Sequence, residues 1–517
     1  MIQDEILKKS VSKILQRSER QDIQKIIRSF VDVGVLPQLF NQNNQIVYGR
    51  RGTGKTHIFK VLYSELEKNK SNAVLYLDGR TLGSTAQFTD PDIPLKHRCI
   101  CLFRDVLGEI YNALLDHIVH QPLEKADVAF DALDKLSKVV TEPIKKYSEE
   151  SYKTKALDKH GTEFSIAASL AHPDLSGKVK LNGSHETEQS SLFTVKEEDK
   201  IIFPALHHLL SNVLDKSLAI LYILFDEWSS IPIDLQPYLA EFMKRSFFAN
   251  PRVIIKIASL EYRSKFTLQH NSTTYGLEVG SDISTAIDID DYYVFDRNPN
   301  NVTDAFSEIL FKHIQSEVPE DYLKSKYNVD SGSSLVSKMF TSKATFQELV
   351  RASEGVVRDL INIFISAFFD SQRKGRNKIE HPSIVEAARQ WFEQDKSQNL
   401  DEELRRILEK IVNEVIGQKK ARSFLIPRDL EKHPFIQRLF DLRVLHLMKR
   451  GYADKDNPGV RYNIYSLDYG TYVDLKHTSK QPDLEFFEDK EESTDFVVPF
   501  DDRRSIRRIV LTSDIIN

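Results

Sequence analysis

Apolar residues recur at helical spacing over the first 32 positions, through Ile6, Leu7, Val11, Ile14 and Leu15 and then Ile23, Ile26, Ile27 and Phe30. A short apolar run, Gln45–Tyr48, ends in a glycine-rich turn, and the spacing after it predicts a helix over His57–Lys68. Ala73–Leu77 reads as a strand, and residues 100–147 are helical in character, with a stripe through Leu107, Ile110, Leu114 and Ile118. Residues 150–200 are polar and irregular, with alternating pieces at Phe164–Ala167 and Lys178–Leu181 that suit a hairpin. The helix–strand pattern then resumes. A helix over Ile201–Leu214 leads to a buried strand, Leu218–Phe225, a helix near Leu235–Phe248, a strand at Val253–Ala258 and another near Tyr292–Phe295. From Val302 to about Glu393 the periodicity is helical throughout, and residues 401–475 give helices followed by a Tyr-rich strand–turn–strand. Alternating strands and helices of this kind predict an α/β core with a parallel sheet, followed by helical and mixed domains.

The chemistry is concentrated at two strand ends. Gly49-Arg50-Arg51-Gly52-Thr53-Gly54-Lys55-Thr56 fits G-x-x-x-x-G-K-[ST] in full, with a strand before it and a helix after it. Glycines let the backbone curl so that successive N–H groups face phosphate oxygens, and the helix N-terminus adds its dipole. Gly49, Gly52, Thr53, Gly54, Lys55, Thr56 and His57 are therefore the expected nucleotide-binding set. Lys55 is expected to reach the β- and γ-phosphates, and Thr56 to ligate Mg²⁺. The second strand, Ile220–Phe225, ends in Asp226 and Glu227. Ligands gather at such strand ends in open α/β sheets. Asp226 suits Mg²⁺, held through water, and Glu227 suits polarising the water that attacks the γ-phosphate. The two motifs lie 171 positions apart, which implies an insertion at about 95–200.

With these residues in order, the chain resembles the AAA+ ATPases, in particular the origin-recognition and replication-initiator branch. The resemblance rests on GRRGTGKT, ILFDE and VIIKIAS (Val253–Ser259), and continues through Asp304–Ile314 and Ser353–Leu360. It implies that Ser259 is the first sensor, that Arg358 senses the γ-phosphate from a helical lid, and that a winged helix occupies residues 401–475. The expected winged-helix elements are helices at Glu402–Ile416, Arg428–Glu431 and Phe435–Arg450, then strands at Tyr452–Asp454 and Val460–Ile464 around the turn 456–459. Residues 401–480 hold 16 Lys/Arg against 12 Asp/Glu, and Arg438, Arg443, Lys449, Arg450 and Arg461 are candidate DNA-phosphate contacts. Two departures stand out: Arg50 and Arg51 replace the small residues or prolines usual in the family, and the 95–200 insertion is foreign to it. Between Ser259 and Tyr292 the basic residues are Arg263 and Lys265, so Arg263 is the candidate arginine finger acting in trans.

Composition narrows the partners. The chain has 517 residues and a net charge of −5, so bulk charge does not attract it to nucleic acid. The stretch 481–502, with nine acids and one base, offsets the basic block and has the composition of a solvated, disordered segment. Two cysteines, Cys99 and Cys101, fit a reducing compartment, and the longest apolar run, Leu218–Phe225, is far too short to cross a bilayer. A cytoplasmic protein without membrane attachment is expected. His97-x-Cys99-x-Cys101 lacks a second ligand pair at zinc spacing, and Asp288, Asp290 and Asp291 read as strand-flanking residues. Asp483 and Glu488 mimic a nuclease signature but stand too close together to sit on neighbouring core strands.

The expected architecture is a P-loop core at 1–300, a helical lid at 301–398, a winged helix at 399–480, and an acidic linker and tail at 481–517. The expected function is a Mg²⁺-dependent ATPase that couples ATP to conformational change, assembles as a homo-oligomer and engages double-stranded DNA or a protein. The alternative is a nucleotide-gated switch or scaffold of the prokaryotic-defence signalling type, which recruits a partner protein through the insertion and leaves DNA alone.

Overall fold

The computed structural model describes all residues except 16–20, 84–89, 121–125, 142–143, 152–190, 199–200, 295–298, 420, 455–458, 474–508 and 517. The hairpin expected at Phe164–Ala167 and Lys178–Leu181, the acidic stretch 481–502 and most of the turn 456–459 lie outside the described residues. The N-terminal region forms α1 (Glu5–Val11), α2 (Ile23–Ser29) and α3 (Leu36–Leu39). Asp4 and Asp22 each cap a short helix by accepting a backbone N–H.

The core then runs β1 (Gln45–Tyr48), α4 (Lys55–Glu67), β2 (Asn72–Asp78), α5 (Leu95–His120), α6 (Ala126–Thr141), the antiparallel pair β3 (Ile144–Ser151) and β4 (Ser191–Glu198), α7 (Phe203–Ser217), β5 (Ile220–Asp226), α8 (Gln236–Phe247) and β6 (Val253–Ser259). A hairpin, β7 (Thr267–His270) and β8 (Thr273–Gly276), turns on Asn271 and Ser272, both at positive φ, and β9 (Thr285–Asp288) closes the sheet. Strand order is β2-β5-β6-β1-β9, and every pairing in this sheet is parallel. The central strands are nearly continuous apolar runs because helices cover both faces. Successive residues serve opposite layers. Val47, Leu224 and Ala258 face α4 and the lid, whereas Ile46, Ile223 and Ile257 face α5, α6, α7 and α8.

Two sequence expectations change here. The last sheet strand is β9, several residues before Tyr292–Phe295, and Ile289–Tyr292 is a 3₁₀ turn. Its polar, four-residue sequence gave no apolar run to find. Helices α5 and α6, placed in the insertion by sequence, are built into the core layer, with Leu102, Phe103, Val106, Ile110 and Leu114 buried against the sheet side.

The lid comprises α9 (Pro299–Gln315), α10 (Tyr322–Tyr327), α11 (Gly332–Met339), α12 (Lys343–Ala352), α13 (Val357–Arg373) and α14 (His381–Trp391). The C-terminal domain follows with α15 (Glu402–Val412), β10 (Ser423–Pro427), α16 (Arg428–Glu431), α17 (Pro434–Asp441), β11 (Leu445–Ala453) and β12 (Arg461–Leu467). Its sheet is antiparallel in the order β10-β12-β11, which with α15–α17 makes a winged helix. The helix expected over Phe435–Arg450 instead ends at Asp441 and gives way to β11. Arg443 takes a left-handed φ of 61° that stops the helix, and Leu445–Met448 are all buried in the sheet. Residues 509–516 return to this domain, where Leu425 N–H donates to Ile509 O and Leu511 N–H to Leu425 O, at 2.9 Å each.

Candidate nucleotide-binding site

The loop between β1 and α4 curls because Gly52 (φ 90°) and Gly54 (φ 101°) adopt backbone conformations that side chains rarely allow. Gly52 has a second constraint: a Cβ there would sit 2.7 Å from Arg358 Cβ. The Arg358 backbone N–H also donates to Gly52 O at 3.0 Å, so the start of α13 is seated directly on the loop. Thr53 closes the turn by donating its hydroxyl to Arg50 O at 2.9 Å. Lys55 is buried and donates to Gly49 O and Arg50 O at 2.5 and 3.0 Å, and burial lowers its pKa.

Thr56 donates its hydroxyl to Asp226 Oδ2 at 2.7 Å. Parallel pairing sets the height, with Asp78 opposite Asp226 across β2 and β5. The same carboxylate oxygen accepts Tyr76 OH at 2.6 Å, and Oδ1 accepts the Glu227 N–H at 2.8 Å. Glu227 itself turns out of the strand at φ 54° into the cleft. Burial, then the neighbouring Asp226, raise its pKa, the direction expected of a general base drawn toward neutrality.

A cleft of about 280 Å³ joins these parts, and Gly52, Gly54, Lys55, Thr56, His57, Glu227 and Arg358 line it. His57 forms part of an aromatic wall with Phe30 and His313, and its Nε2 contacts Ile26 O at 2.7 Å. Burial, with His313 nearby, holds its pKa down at about 4. Gly49 sits behind the loop against Thr53, and Asp226 lies behind Thr56.

Two expected residues point elsewhere. Ser259 stands at the tip of β6, fully buried, and its hydroxyl contacts that of Ser264. Arg263 pairs through Nε with Asp441 of the winged helix at 2.6 Å. Among the candidate DNA contacts, Arg443 is buried against Asp359 and Asp395. Arg450 reaches Glu261 and Asp288 at 2.6 and 2.9 Å. Arg443 is an internal cation, a correction to its reading as a phosphate contact, while Arg450 stays partly exposed but is paired within the chain. Arg438 pairs with Asp401 at 2.6 Å, while Arg461 remains exposed.

Sequence reasoning left Arg50 as a mere departure, and the structure gives it partners from three regions. Asp290 Oδ2, just beyond β9, accepts both its backbone N–H and its Nε at 3.0 Å. Glu354 O in the lid accepts Nη2 at 3.1 Å, and Nη1 contacts His446 Nδ1 on β11. Because a guanidinium only donates, His446 Nδ1 must accept, which leaves the imidazole neutral with its proton on Nε2, 2.8 Å from Asp468 Oδ2. Lys396 extends the chain of charges, reaching Asp468 at 2.5 Å and Asp359 at 3.1 Å. None of these partners lies within hundreds of positions of Arg50 except through the fold, so no local motif marked them.

A family model described as ORC-CDC6-like matches residues 15–82. No curated protein matches the chain. Among solved structures, the chain is similar to Cdc6p from Pyrobaculum aerophilum at 12% identity, covering 92% of this chain and 96% of that one with a TM-score of 0.33. It is similar to the ORC2 protein of Aeropyrum pernix, in ADPNP–ADP complexes, at 10% identity, with 89% and 93% covered and a TM-score of 0.32. It is also similar to the RuvB Holliday junction branch migration motor of Thermotoga maritima at 11% identity, with 92% and 94% covered and a TM-score of 0.32. Over residues 15–82, from the N-terminal region through the phosphate loop and β2, the chain matches the ORC-CDC6-like model, and its core is an α/β fold in which that loop opens from a parallel sheet.

Proposed function

We propose that the chain is a Mg²⁺-dependent ATPase whose lid and winged helix respond to the nucleotide. The observation that carries this reading is the cleft in which Lys55, Thr56, Glu227 and Arg358 converge from loop, sheet and lid. The loop N–H groups and Lys55 would hold the phosphates, and Arg358 would report the γ-phosphate to the lid. The Thr56–Asp226 pair fits Mg²⁺: the donors are hard oxygens, and Asp226 suits contact through water. Among the described residues no group of three His, Cys, Asp or Glu side chains is placed to hold a metal ion. The ion would supply charge neutralisation, while Glu227 accepts the proton of the attacking water.

Lys55→Ala should abolish ATP binding, measured by calorimetry. Glu227→Gln should bind ATP with near-normal affinity but hydrolyse it about 10²–10⁴-fold more slowly. Full turnover by this variant would sink the mechanism. No helix among the described residues is long and apolar enough to cross a membrane.

DNA engagement through the winged helix is the companion proposal, and Arg461 is an exposed candidate for it that makes no ion pair among the described residues. Arg461→Glu should weaken duplex DNA binding and lower the salt slope by about 1. A second reading, a nucleotide-gated switch that acts on a protein partner, is favoured by the docking of α17. Phe440 packs edge-on against Tyr262 at 5.0 Å, and Asp441 holds Arg263. No DNA binding at low salt would select it.

A further inference from the structure

The cations around the cleft differ in how far they are committed. Arg50 is buried and held by Asp290, Glu354 and His446. Arg80, on the β2 side, is paired with Asp78 at 2.5 Å. Arg263, the arginine that sequence offered to a neighbouring subunit, is paired with Asp441 of its own chain. Arg51 is different. It stands exposed at the mouth of the cleft, lines it together with Gly52, Lys55, Glu227 and Arg358, and makes no hydrogen bond or ion pair among the described residues. Its charged neighbours are the paired Arg263 and Asp441, together with Arg358 and Glu227, the last being the carboxylate proposed to act on the attacking water.

We propose that Arg51 is a further catalytic residue, an arginine supplied in cis by the phosphate loop to stabilise the γ-phosphoryl group during transfer to water. The inference rests on the ATPase reading of the same cleft. In the reaction the water oxygen forms a bond to the γ-phosphorus, and the bond from that phosphorus to the β-phosphate oxygen breaks. The bonding electron pair leaves with ADP, and the water proton passes to Glu227, giving ADP and inorganic phosphate. Negative charge is spread over the γ-oxygens and grows on the departing β-oxygen as this happens. An arginine at that point raises turnover by about 10³–10⁵-fold in phosphoryl-transfer enzymes.

Two features fit Arg51 to the task. It stands in the phosphate loop itself, one residue before the glycine on which Arg358 is seated, so its side chain starts from the backbone that would cradle a bound triphosphate. Among the described residues no carboxylate lies within ion-pair distance of it, so no existing ion pair among them must break first. Closing on the nucleotide would bring three cations, Arg51, Lys55 and Arg358, around one polyanion.

The test uses the full chain as wild type, Arg51→Ala, Arg51→Lys and Arg263→Ala. Three quantities are measured: ATP turnover across a 100-fold dilution series, affinity for ADP alone, and affinity for ADP with Mg²⁺ and aluminium fluoride as a mimic of the transferring group. Arg51→Ala is expected to lose about 10³-fold in kcat and most of the extra affinity that aluminium fluoride confers. Affinity for ADP and the melting temperature should stay near wild type, Arg51→Lys should recover part of the loss, and wild-type specific activity should not change on dilution. Wild-type kcat in Arg51→Ala would overturn the proposal. So would specific activity that falls on dilution together with a comparable loss in Arg263→Ala, which would assign the charge to a neighbouring subunit. A wild-type chain that binds ATP without hydrolysing it overturns the ATPase reading itself, an outcome distinct from either.

Discussion

Arg50 is 5% exposed and Lys396 is 2% exposed, so each must be matched by a carboxylate or an acceptor to exist as a cation inside the protein. Asp359 serves Lys396 and Arg443, and these cations hold its carboxyl below the usual range against the opposing effect of burial. Removing that one charge leaves Lys396 to Asp468 and Arg443 to Asp395, each short of one buried partner. Asp359→Asn is expected to destabilise the chain by about 3–5 kcal/mol in denaturant unfolding, the usual cost of breaking a buried pair from one side. His446 makes a different prediction. Burial keeps it neutral, with a pKa pushed down to about 3, against about 6.5 in an unfolded chain. The folded state therefore binds fewer protons between these values, and stability is present above about pH 6.5 and lost as pH falls toward 3. Protonation would also set an N–H against Arg50, while Asp468 and Lys396 face the other side of the ring. His57, at about 4, adds a loss of the same sign. Thermal unfolding across pH 7 to 4 should show proton uptake on these two histidines, with one fewer proton in His446→Gln.

At the scale of elements, what could be read from sequence was what is local. The strand–loop–helix around Gly49–Thr56 carries its own chemistry in eight consecutive residues, and α16 falls at its expected bounds, Arg428–Glu431. Strand β5 was also legible, because a central parallel strand is an unbroken apolar run. Strand β11 was not. Leu445–Met448 read equally well as the end of a helix, and only pairing with β12 decides between the two. The helix stop at Arg443 depends on a left-handed backbone at a residue that rarely adopts one. Strand β10 and the returning segment 509–516 depend on each other in the same way, since Leu425 is bonded on both sides by Ile509 and Leu511. Truncation after residue 508 should therefore uncover the edge of β10 and the sockets of Ile509, Leu511 and Ile515. A lower melting temperature and a greater tendency to aggregate are the expected outcome, read by scanning calorimetry and light scattering. An internal deletion of 481–502 avoids that damage and is the better variant for asking whether the acidic stretch competes with DNA for the basic domain.

Across the whole molecule, the winged helix is fastened to the nucleotide site by Arg50–His446, Arg263–Asp441, Arg450–Glu261 and Tyr262–Glu431. Charge reversal at Arg443 is accordingly expected to lower thermal stability and leave the salt dependence of any DNA binding intact, whereas Arg461→Glu does the opposite. The contact between Arg50 and His446 spans 396 positions of chain. At typical elongation speeds of about 5–20 residues per second, some 20–80 s separate the synthesis of the two residues. Until that interval ends, the nascent phosphate loop carries a guanidinium whose set of burial partners is incomplete, with Asp290 and Glu354 made first and His446 last. The loop cannot reach its final form when its own domain leaves the ribosome, and the nucleotide site is completed only after the last domain has been made.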